Sequence, residues 1–451
     1  MAVFLAVCLL GGVTMAYAGA DDADAYLDAL FGKGKISLSE VPLGGIDLKA
    51  EDVTLSEEYL ATVTQDGHTP DEWIQALYPV SISPSGGQAL LSDGNIALAF
   101  HNGRARQISV SQERSVADEY GNLEKLLSLP LASFFGLGQS RVVWSPDGRY
   151  ATFYNWSRVL QMSRFEYDPY LIDMETGEFI LLATYVGKPV KEQAAAPVAA
   201  CFTRDGRYLY FMMYGNFGYR TALLRYDLSA GKMETCCSVT DLDYYPQLSE
   251  LRDGSLMLMR DADPRRNRKT VNKIGPVRYK GAGGGWMVFA NTLPLDNQQL
   301  YAKEIMYSEQ SGYGIMTAVN RKTGPGYLLR FLPDAGFTGL DEIWAFDSEA
   351  DSMVKMTLTE LQEMDAEKGR KFEIFSACLL SPGGRYALCA TVGQGEYHLR
   401  LVRLEDMKQV DIAGLDKSTV SGTAMNGSIP CWSGETVLLM KNKALTAFRF
   451  E

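Results

Sequence analysis

The sequence has few of the residues and motifs on which enzyme catalysis commonly depends. Its 451 residues contain three histidines, His68, His101 and His398. The Gly-x-Ser-x-Gly nucleophile elbow is absent, as are the His-Glu-x-x-His zinc motif and the phosphate-binding Gly-Lys-Ser/Thr. We therefore predict no catalytic residue and no metal site, and the sequence indicates no particular cofactor.

Positive charge and cysteine are also scarce. The chain has 43 Lys and Arg against 55 Asp and Glu, which gives a formal net charge of -12 and disfavours a general affinity for nucleic acid or an anionic membrane. Its seven cysteines lack the paired spacing of a zinc site, and their density is too low for a disulfide scaffold. Six lie beyond residue 18 in apolar strand patterns, and we expect these to be buried free thiols: Cys201, Cys236, Cys237, Cys378, Cys389 and Cys431.

Long apolar runs are missing except at the N-terminus. The run Ala2–Met15 is followed by Ala16-Tyr17-Ala18, a small-x-small site that predicts a signal peptide over residues 1–18 with cleavage before Gly19. No Lys or Arg precedes the run, so a retained membrane anchor or a buried first element stays open as an alternative. No other run approaches the roughly 18 apolar residues of a membrane span. We therefore expect a mature chain without a span, either secreted or at the cell surface.

A short turn between two apolar stretches recurs along the chain. Trp144–Tyr150 reads Trp-Ser-Pro-Asp-Gly-Arg-Tyr, and related runs occupy Phe202–Tyr208 and Leu380–Tyr386. Each run predicts strand, tight turn and strand, with the Gly supplying the positive φ that such a turn needs. We interpret Asp147 and Asp205 as caps of their own backbone turns rather than as catalytic acids.

Weaker copies place further turns at positions 86, 254, 297 and 434. A second unit of strand, polar turn and strand follows the first, most clearly at Leu171–Ile180 and again at Ile343–Met356. The interval from 297 to 384 is about twice an ordinary one, so Ile343–Met356 is interpreted as part of an additional blade. Four strands in roughly 40 to 60 residues is the period of a propeller blade.

These runs resemble the TolB-like or WD40-like β-propeller repeat over roughly residues 80 to 451. They are also similar to the propeller domain of prolyl oligopeptidase-type enzymes, although the hydrolase domain is missing in motif and in length. The resemblance implies an all-β fold, a β-propeller of seven or eight four-stranded blades, eight by repeat count. It identifies a fold and not an activity.

The end of the chain predicts how the ring closes. After Trp432–Gly434 only two further strands fit, so the last blade lacks its outer strand. Glu51–Leu55 or Tyr59–Val63 is expected to supply that strand, which would leave fewer exposed sheet edges. The predicted domains are the signal peptide over 1–18, an acidic and partly disordered lead-in over 19–50, and the propeller over 51–451.

The longer connections are predicted to share one face of the ring. In a propeller the first-to-second and third-to-fourth strand turns lie on one face, and the other connections lie opposite. The short Asp-Gly and Thr-Gly turns belong to the first face, so the second face takes Asn155–Pro169, Tyr214–Arg220, Asp261–Gly284 and residues 111–141. Loop elaboration on one face is typical of a binding surface.

The candidate binding residues are aromatic, Arg and Asn residues of these connections, because exposed aromatic and Arg side chains often anchor partners. The alternative is that the aromatics pack beneath their own loops. Residues 260–280 carry eight positive and two negative residues, either as a solvated loop or as a docking site for an acidic partner. The candidates are Tyr154, Asn155, Trp156, Arg158, Arg164, Tyr214, Asn216, Tyr219, Arg220, Arg265, Arg266 and Arg268.

The leading interpretation is a non-enzymatic exported binding module that holds a protein, peptide or glycan on its long-loop face. We expect a monomer with no nucleic-acid partner. The alternative is a secreted propeller enzyme, a lyase or hydrolase, with its site at the mouth of the central channel. A buried, convergent cluster of Arg, Tyr, His and carboxylate would favour the enzyme, whereas an aromatic rim would favour the binding module.

Overall fold

The fold was obtained as a computed structural model. The structure describes residues 20–41, 48–65, 67, 69–75, 77–83, 88–92, 97–108, 114–117, 123–126, 142–159, 164–177, 179–182, 200–214, 221–239, 243–244, 248–262, 275–282, 285–290, 300–308, 310–320, 323–333, 342–381, 383–415, 432–433, 435–441 and 444–451. Two compact units divide the chain. The first is centred on Pro42–Thr240, and the second combines Tyr17–Val41 with Asp241–Asn442 and Thr446–Glu451.

Short helices occupy little of the described chain. They are α1 (Ala20–Phe31), α2 (Glu57–Gln65), α3 (Pro70–Gln75), α4 (Leu358–Gln362) and α5 (Ala366–Gly369), with a 3-10 turn at Ala50–Asp52. α4 begins at a capping box, in which the Glu360 amide donates to the Thr357 hydroxyl and the Thr357 amide donates to the Glu360 carboxylate. None of the helices within the described ranges has the length and apolar character needed to cross a membrane.

The described strands are short and numerous, as the sequence predicted. In the first half of the chain they are β1 (Ile36–Val41), β2 (Val53–Thr54), β3 (Tyr78–Ile82), β4 (Gln88–Ser92), β5 (Ala97–His101), β6 (Arg104–Ile108), β7 (Arg114–Ala117), β8 (Leu123–Leu126), β9 (Val143–Trp144), β10 (Tyr150–Val159), β11 (Arg164–Asp173), β12 (Phe179–Leu181), β13 (Ala200–Phe202), β14 (Tyr208–Tyr214), β15 (Thr221–Asp227) and β16 (Lys232–Val239).

The second half continues in the same way. Its strands are β17 (Asp243–Tyr244), β18 (Leu248–Glu250), β19 (Leu256–Ala262), β20 (Gly275–Ala282), β21 (Gly285–Ala290), β22 (Leu300–Tyr307), β23 (Gly314–Asn320), β24 (Gly326–Phe331), β25 (Ile343–Asp347), β26 (Ser352–Met356), β27 (Ile374–Leu380), β28 (Tyr386–Gly393), β29 (Glu396–Arg403), β30 (Lys408–Ala413), β31 (Trp432–Ser433), β32 (Thr436–Lys441) and β33 (Ala444–Phe450).

The first unit consists of antiparallel sheets that follow one another along the chain. β3 to β6 pair in order, and β2 adds in parallel beside β6. β9 to β12 and β13 to β16 form two further four-stranded sheets, and β7 pairs with β8. Apolar side chains pack between successive sheets, with Leu90 and Ile172 in one cluster and Leu171 and Phe202 in the next. The β9–β12 sheet thus buries residues on both of its faces, as blades of a propeller do.

The second unit repeats this plan. β17 to β21 form a five-stranded sheet, and β22 to β26 form another. β27 to β30 form a third sheet, which β1 joins to the last sheet, β31 to β33, in one eight-stranded array. Its core again lies between successive sheets. Met257 packs with Met316, Phe346 with Cys389, and Leu388 with the cluster around α1.

Ile343–Met356 was interpreted as part of an additional blade between positions 297 and 384. These residues form β25 and β26, and β25 pairs with β24, so they belong to the sheet that begins with β22. The turn between β22 and β23 ends at Gly312, which has φ of 74°. The sequence had placed this turn at position 297, which lies outside the described residues. A turn at Gly312 divides the long interval more evenly.

The segment that completes the last sheet differs from both predicted segments. β1 pairs with β33 in antiparallel register from Leu38–Phe450 to Val41–Ala447. On its other side β1 pairs in parallel with β30. Of the predicted segments, Glu51–Leu55 contains β2, which pairs with β6, and Tyr59–Val63 lies in α2. β1 takes this place because its apolar and polar residues alternate, which suits a strand with one buried face.

Helix α1 and β1 occupy residues 20–41 of the predicted lead-in. α1 packs against the β27–β30 sheet and the last sheet, where Leu27 and Leu30 are almost fully buried. The Tyr26 hydroxyl donates to the carbonyl oxygen of Phe450 at 2.7 Å. The apolar residues recur every three to four positions, and this spacing gives the helix one buried side.

The same helix supplies a carboxylate that one copy of the repeated turn lacks. In Leu380–Tyr386 the position of Asp147 is taken by Gly383. Asp24 of α1 accepts a hydrogen bond from the Ser381 hydroxyl at 2.9 Å and from the Arg385 amide at 3.2 Å. In the intact turn Asp147 makes the corresponding contacts with residues 145 and 149. A residue more than 350 positions away therefore replaces the missing cap.

Candidate binding surface

At one end of the described sheets, the side chains of the turns form hydrogen bonds within the same turn. The Asp147 carboxylate accepts the Ser145 hydroxyl at 2.6 Å and the Arg149 amide at 3.0 Å. Asp205 makes the same two contacts at the same distances in the next sheet, with Thr203 and Arg207 as donors. The prediction that these Asp residues cap their own turns is confirmed.

Ion pairs join these turns to the second turn of the same sheet. Arg149 lies 2.9 Å from Asp173, which begins the turn between β11 and β12. In the next sheet Arg207 lies 3.4 Å from Asp227, and the hydrogen bond from the Ser229 hydroxyl lowers the pKa of Asp227 to about 2. The polar side chains of this end thus bond chiefly to one another. The opposite end of these sheets is therefore the better candidate for a binding surface.

A two-stranded ribbon extends from the other end of the second sheet. β10 and β11 pair along their whole length, from Tyr150–Asp173 to Val159–Arg164. Their described neighbours accompany only the first part, because β9 pairs at residues 151–152 and β12 at residues 170–172. Residues 153–159 and 164–169, which pair with each other beyond these described neighbours, are called the extended part of the ribbon. The sequence predicted a loop at Asn155–Pro169, and this was wrong at the residues that form the two strands.

The register sorts the extended part of the ribbon into two faces. Residues directly opposite each other in an antiparallel pair lie on the same face, and the faces alternate along each strand. The aromatic face carries Tyr154, Trp156 and Arg158 of β10 with Phe165, Tyr167 and Pro169 of β11. The polar face carries Asn155, Ser157 and Val159 with Arg164, Glu166 and Asp168.

The aromatic face brings together three of the predicted binding residues and separates two others from them. Tyr154, Trp156 and Arg158 alternate along β10, whereas Asn155 and Arg164 lie on the polar face. The sequence interpretation missed the contribution of β11. The alternation of Phe165, Tyr167 and Pro169 was the signal that could have revealed it, because a period of two indicates a strand.

The structure says less about the positions of the other predicted binding residues. Tyr214 is the last residue of β14 and pairs with Thr221 of β15. The remaining six lie outside the described residues: Asn216, Tyr219, Arg220, Arg265, Arg266 and Arg268.

A second polar feature, not found from the sequence, lies between two sheets of the second unit. Glu373 and Arg400 are each 2% exposed, and Arg400 Nη1 lies 2.5 Å from Glu373 Oε2. The Thr391 hydroxyl donates to the same carboxylate at 2.5 Å. The Arg400 guanidinium also lies over the ring of Phe346 on β25, 3.6 Å from its centroid. This buried arginine cluster joins the β27–β30 sheet to the neighbouring sheet.

The contacts of the cluster favour a structural role over acid–base catalysis. Both Glu373 oxygens are engaged, because Arg400 Nη2 also donates to Oε1 at 3.3 Å. His398 is the nearest histidine, with its Nε2 atom 3.9 Å from Glu373 Oε1, beyond hydrogen-bonding distance. Asp411 lies 2.9 Å from Arg400 Nε without forming a hydrogen bond. A carboxylate held in this way positions a cation and has little freedom to accept a substrate proton.

No group of three or more His, Cys, Asp and Glu residues within the described ranges is arranged to hold a metal ion.

Comparison with known proteins gives similarity in structure alone. No family model and no curated protein sequence matches the chain. TolB from Acinetobacter baumannii is 13% identical with a TM-score of 0.36, and the match covers 74% of this chain and 62% of TolB. The chain thus spans less than two thirds of the length of that protein.

Two further solved structures match over more of their length. The periplasmic gluconolactonase of Pseudomonas aeruginosa is 12% identical with a TM-score of 0.44, and the match covers 83% of this chain and 91% of that one. The β-propeller domain of the trilobed protease of Pyrococcus furiosus is 11% identical with a TM-score of 0.39, with coverage of 80% and 89%. The chain is similar to TolB and other solved β-propellers, as its repeat predicted.

Proposed function

We propose that the chain is an exported, non-enzymatic β-propeller that binds a protein, peptide or glycan through the aromatic face of the β10–β11 ribbon. The observation that carries this proposal is the register of the ribbon, which collects Tyr154, Trp156, Phe165 and Tyr167 on one face. Aromatic and Arg residues are the types that most often anchor partners. Aromatic side chains also suit stacking on the planar faces of sugars and peptide groups.

The architecture within this proposal is a β-propeller of seven or eight four-stranded blades. Six sheets of at least four strands occur in the described chain, and in the last of them β1 joins β27–β30 to β31–β33. β1 would close the ring as the outer strand of the last blade. The polar contacts of the capped turns support binding at the opposite face, where the ribbon extends.

Export rests on the N-terminal sequence. The apolar run Ala2–Met15 and the small residues before Gly19 support a cleaved signal peptide, and α1 begins directly after that site. Mass spectrometry of the protein from its own cells tests this point. A mature N-terminus at Gly19 is expected, and a chain that retains residues 1–18 would contradict export with cleavage.

Binding by a protein partner is tested by photo-crosslinking within the native cells. A photoreactive phenylalanine analogue at position 156 or 167 should give a crosslinked product of higher mass, whereas the same analogue at 157 or 166 on the polar face should not. The paired positions are matched controls because they lie on the same strands. Equal crosslinking from the two faces would remove the aromatic face as the binding surface.

Binding of a glycan or peptide is tested with panels of immobilised polysaccharides and peptides. Trp156→Ala should weaken binding of any ligand found by roughly tenfold or more, since truncation of a central aromatic anchor often costs about 2 kcal/mol. Ser157→Ala on the polar face should leave binding unchanged. A ligand bound equally by both variants would place the binding surface elsewhere.

A further inference from the structure

Two cysteines of the second unit lie directly opposite each other. Cys378 on β27 and Cys389 on β28 are register partners in an antiparallel pair. Cys378 is 4% exposed and Cys389 is fully buried. Their sulfur atoms are 2.9 Å apart. The sequence predicted buried free thiols at these positions, and the burial is confirmed.

The geometry of the pair is compatible with a bond between the sulfurs. Register partners in antiparallel strands have Cα atoms about 4.5–5.5 Å apart, and disulfides span Cα separations of about 4.4–6.8 Å. A sulfur contact of 2.9 Å is closer than the roughly 3.5–4.0 Å at which even two carbon atoms make their best non-bonded contact. Two thiols would separate from this distance, whereas a disulfide would draw them closer.

We propose that Cys378 and Cys389 form a cross-strand disulfide when the chain folds under oxidising conditions. The two thiols lose two protons and two electrons as the S–S bond forms. The electrons reduce the disulfide of a small-molecule or protein thiol–disulfide exchange partner to two thiols. Because both sulfurs are buried, the exchange takes place before the two strands are covered by the neighbouring sheet.

The same structure offers a cysteine pair that should stay reduced. Cys201 lies on β13 and Cys236 on β16, at opposite edges of one four-stranded sheet. Three strand spacings of about 4.8 Å separate such edges by roughly 14 Å, which is beyond the reach of a disulfide. The proposal is thus specific to Cys378 and Cys389.

The disulfide would link the two strands that flank the turn contacted by α1. The loop between Cys378 and Cys389 contains the turn from Ser381 to Arg385, and Asp24 bonds both of these residues. A covalent link across β27 and β28 would hold this turn in place when α1 separates from it. This modification is independent of the ligand bound by the ribbon.

Peptide mapping of the full chain tests the proposal. The purified chain is unfolded, reduced, and refolded in a glutathione buffer of oxidised and reduced forms, then alkylated under denaturing conditions without a reductant. Trypsin gives one peptide over residues 372–385 and another over 386–400, so the link joins two separate peptides. We expect these two peptides as a single species that is lighter by two hydrogen atoms than their sum. Recovery of both peptides in alkylated form would overturn the proposal.

Variants separate this bond from other thiol chemistry. Cys378→Ser should leave Cys389 alkylated, and Cys201→Ser should leave the linked peptides unchanged. A reductant should lower the urea midpoint of the wild type and leave that of Cys378→Ser unchanged. A Cys378→Ser chain that fails to fold does not affect the decision, because the wild-type peptide map alone shows whether the link is present.

Discussion

The replacement of a missing turn carboxylate by Asp24 can be tested by moving that carboxylate back into the turn. Asp24 is 2% exposed and accepts hydrogen bonds from the Ser381 hydroxyl and the Arg385 amide. Gly383 stands where the intact turn has Asp147. Asp24→Ala removes the carboxylate of α1, and Gly383→Asp restores one at the position of the repeat.

The size of the effect follows from the contacts that are lost. A hydrogen bond to a charged group contributes about 1.5–3 kcal/mol, and two are lost in Asp24→Ala. Desolvation by burial raises the pKa of Asp24 and outweighs the lowering by these hydrogen bonds, so the loss in Asp24→Ala comes from the two donors left without this acceptor. We therefore expect Asp24→Ala to lower the free energy of unfolding by about 2–4 kcal/mol.

The double variant gives the decisive measurement. Gly383→Asp alone should destabilise the chain, because two carboxylates would then compete for the same donors. In the Asp24→Ala chain the same substitution should recover at least half of the loss, which gives a coupling free energy of about 2 kcal/mol in a double-mutant cycle. Urea unfolding followed by circular dichroism supplies the four free energies.

Asp147→Ala provides the matched control. It removes the corresponding carboxylate from a turn in the first unit, so Gly383→Asp should not compensate for it. Additive effects of Asp24→Ala and Gly383→Asp would refute the idea that one carboxylate replaces the other.

Two further predictions concern the charges of the sheets. Arg400→Met should lower the melting temperature, since it leaves Glu373 buried without its cation at a cost of about 3–5 kcal/mol. The double variant Glu373→Gln with Arg400→Met should recover most of this loss of stability. Equal losses in the single and the double variant would contradict the pairing of Glu373 with Arg400. The pKa of Asp227 lies at about 2, below its usual 3.8, so its contribution to stability is complete above pH 3.8 and is lost as the pH falls toward 2. Asp227→Asn should flatten that part of the pH dependence of unfolding, and an unchanged acid limb would argue against the assignment.

The parts of the fold that the sequence predicts well are those determined by near neighbours. The turns of the repeat are specified by a Ser or Thr, an Asp and a Gly within six residues, and each of these residues acts on the same turn. Asp147 and Asp205 make the expected contacts for that reason. Strands that flank such turns follow directly, because the chain must reverse there.

The features that escaped prediction depend on pairing between distant segments. β1 is a six-residue alternating segment, and nothing within those six residues indicates that β33 and β30 are its partners. The ribbon was interpreted as a loop because Asn155–Pro169 was placed among the long connections between strands. Arg400 and Glu373 meet only after β27 to β30 have paired, so no local spacing could reveal their contact.

Departures from a repeat can nevertheless reveal long-range contacts. A turn with Gly in place of Asp leaves a hydroxyl and an amide without their usual acceptor, and buried donors of this kind require another one. In Ser381–Tyr386 this acceptor is Asp24. The carboxylate missing at position 383 is thus supplied by the acidic helix α1. Asp24 and Asp28, two of the acidic residues after the predicted cleavage site, therefore have structural partners. Their negative charge need not be explained by a disordered lead-in.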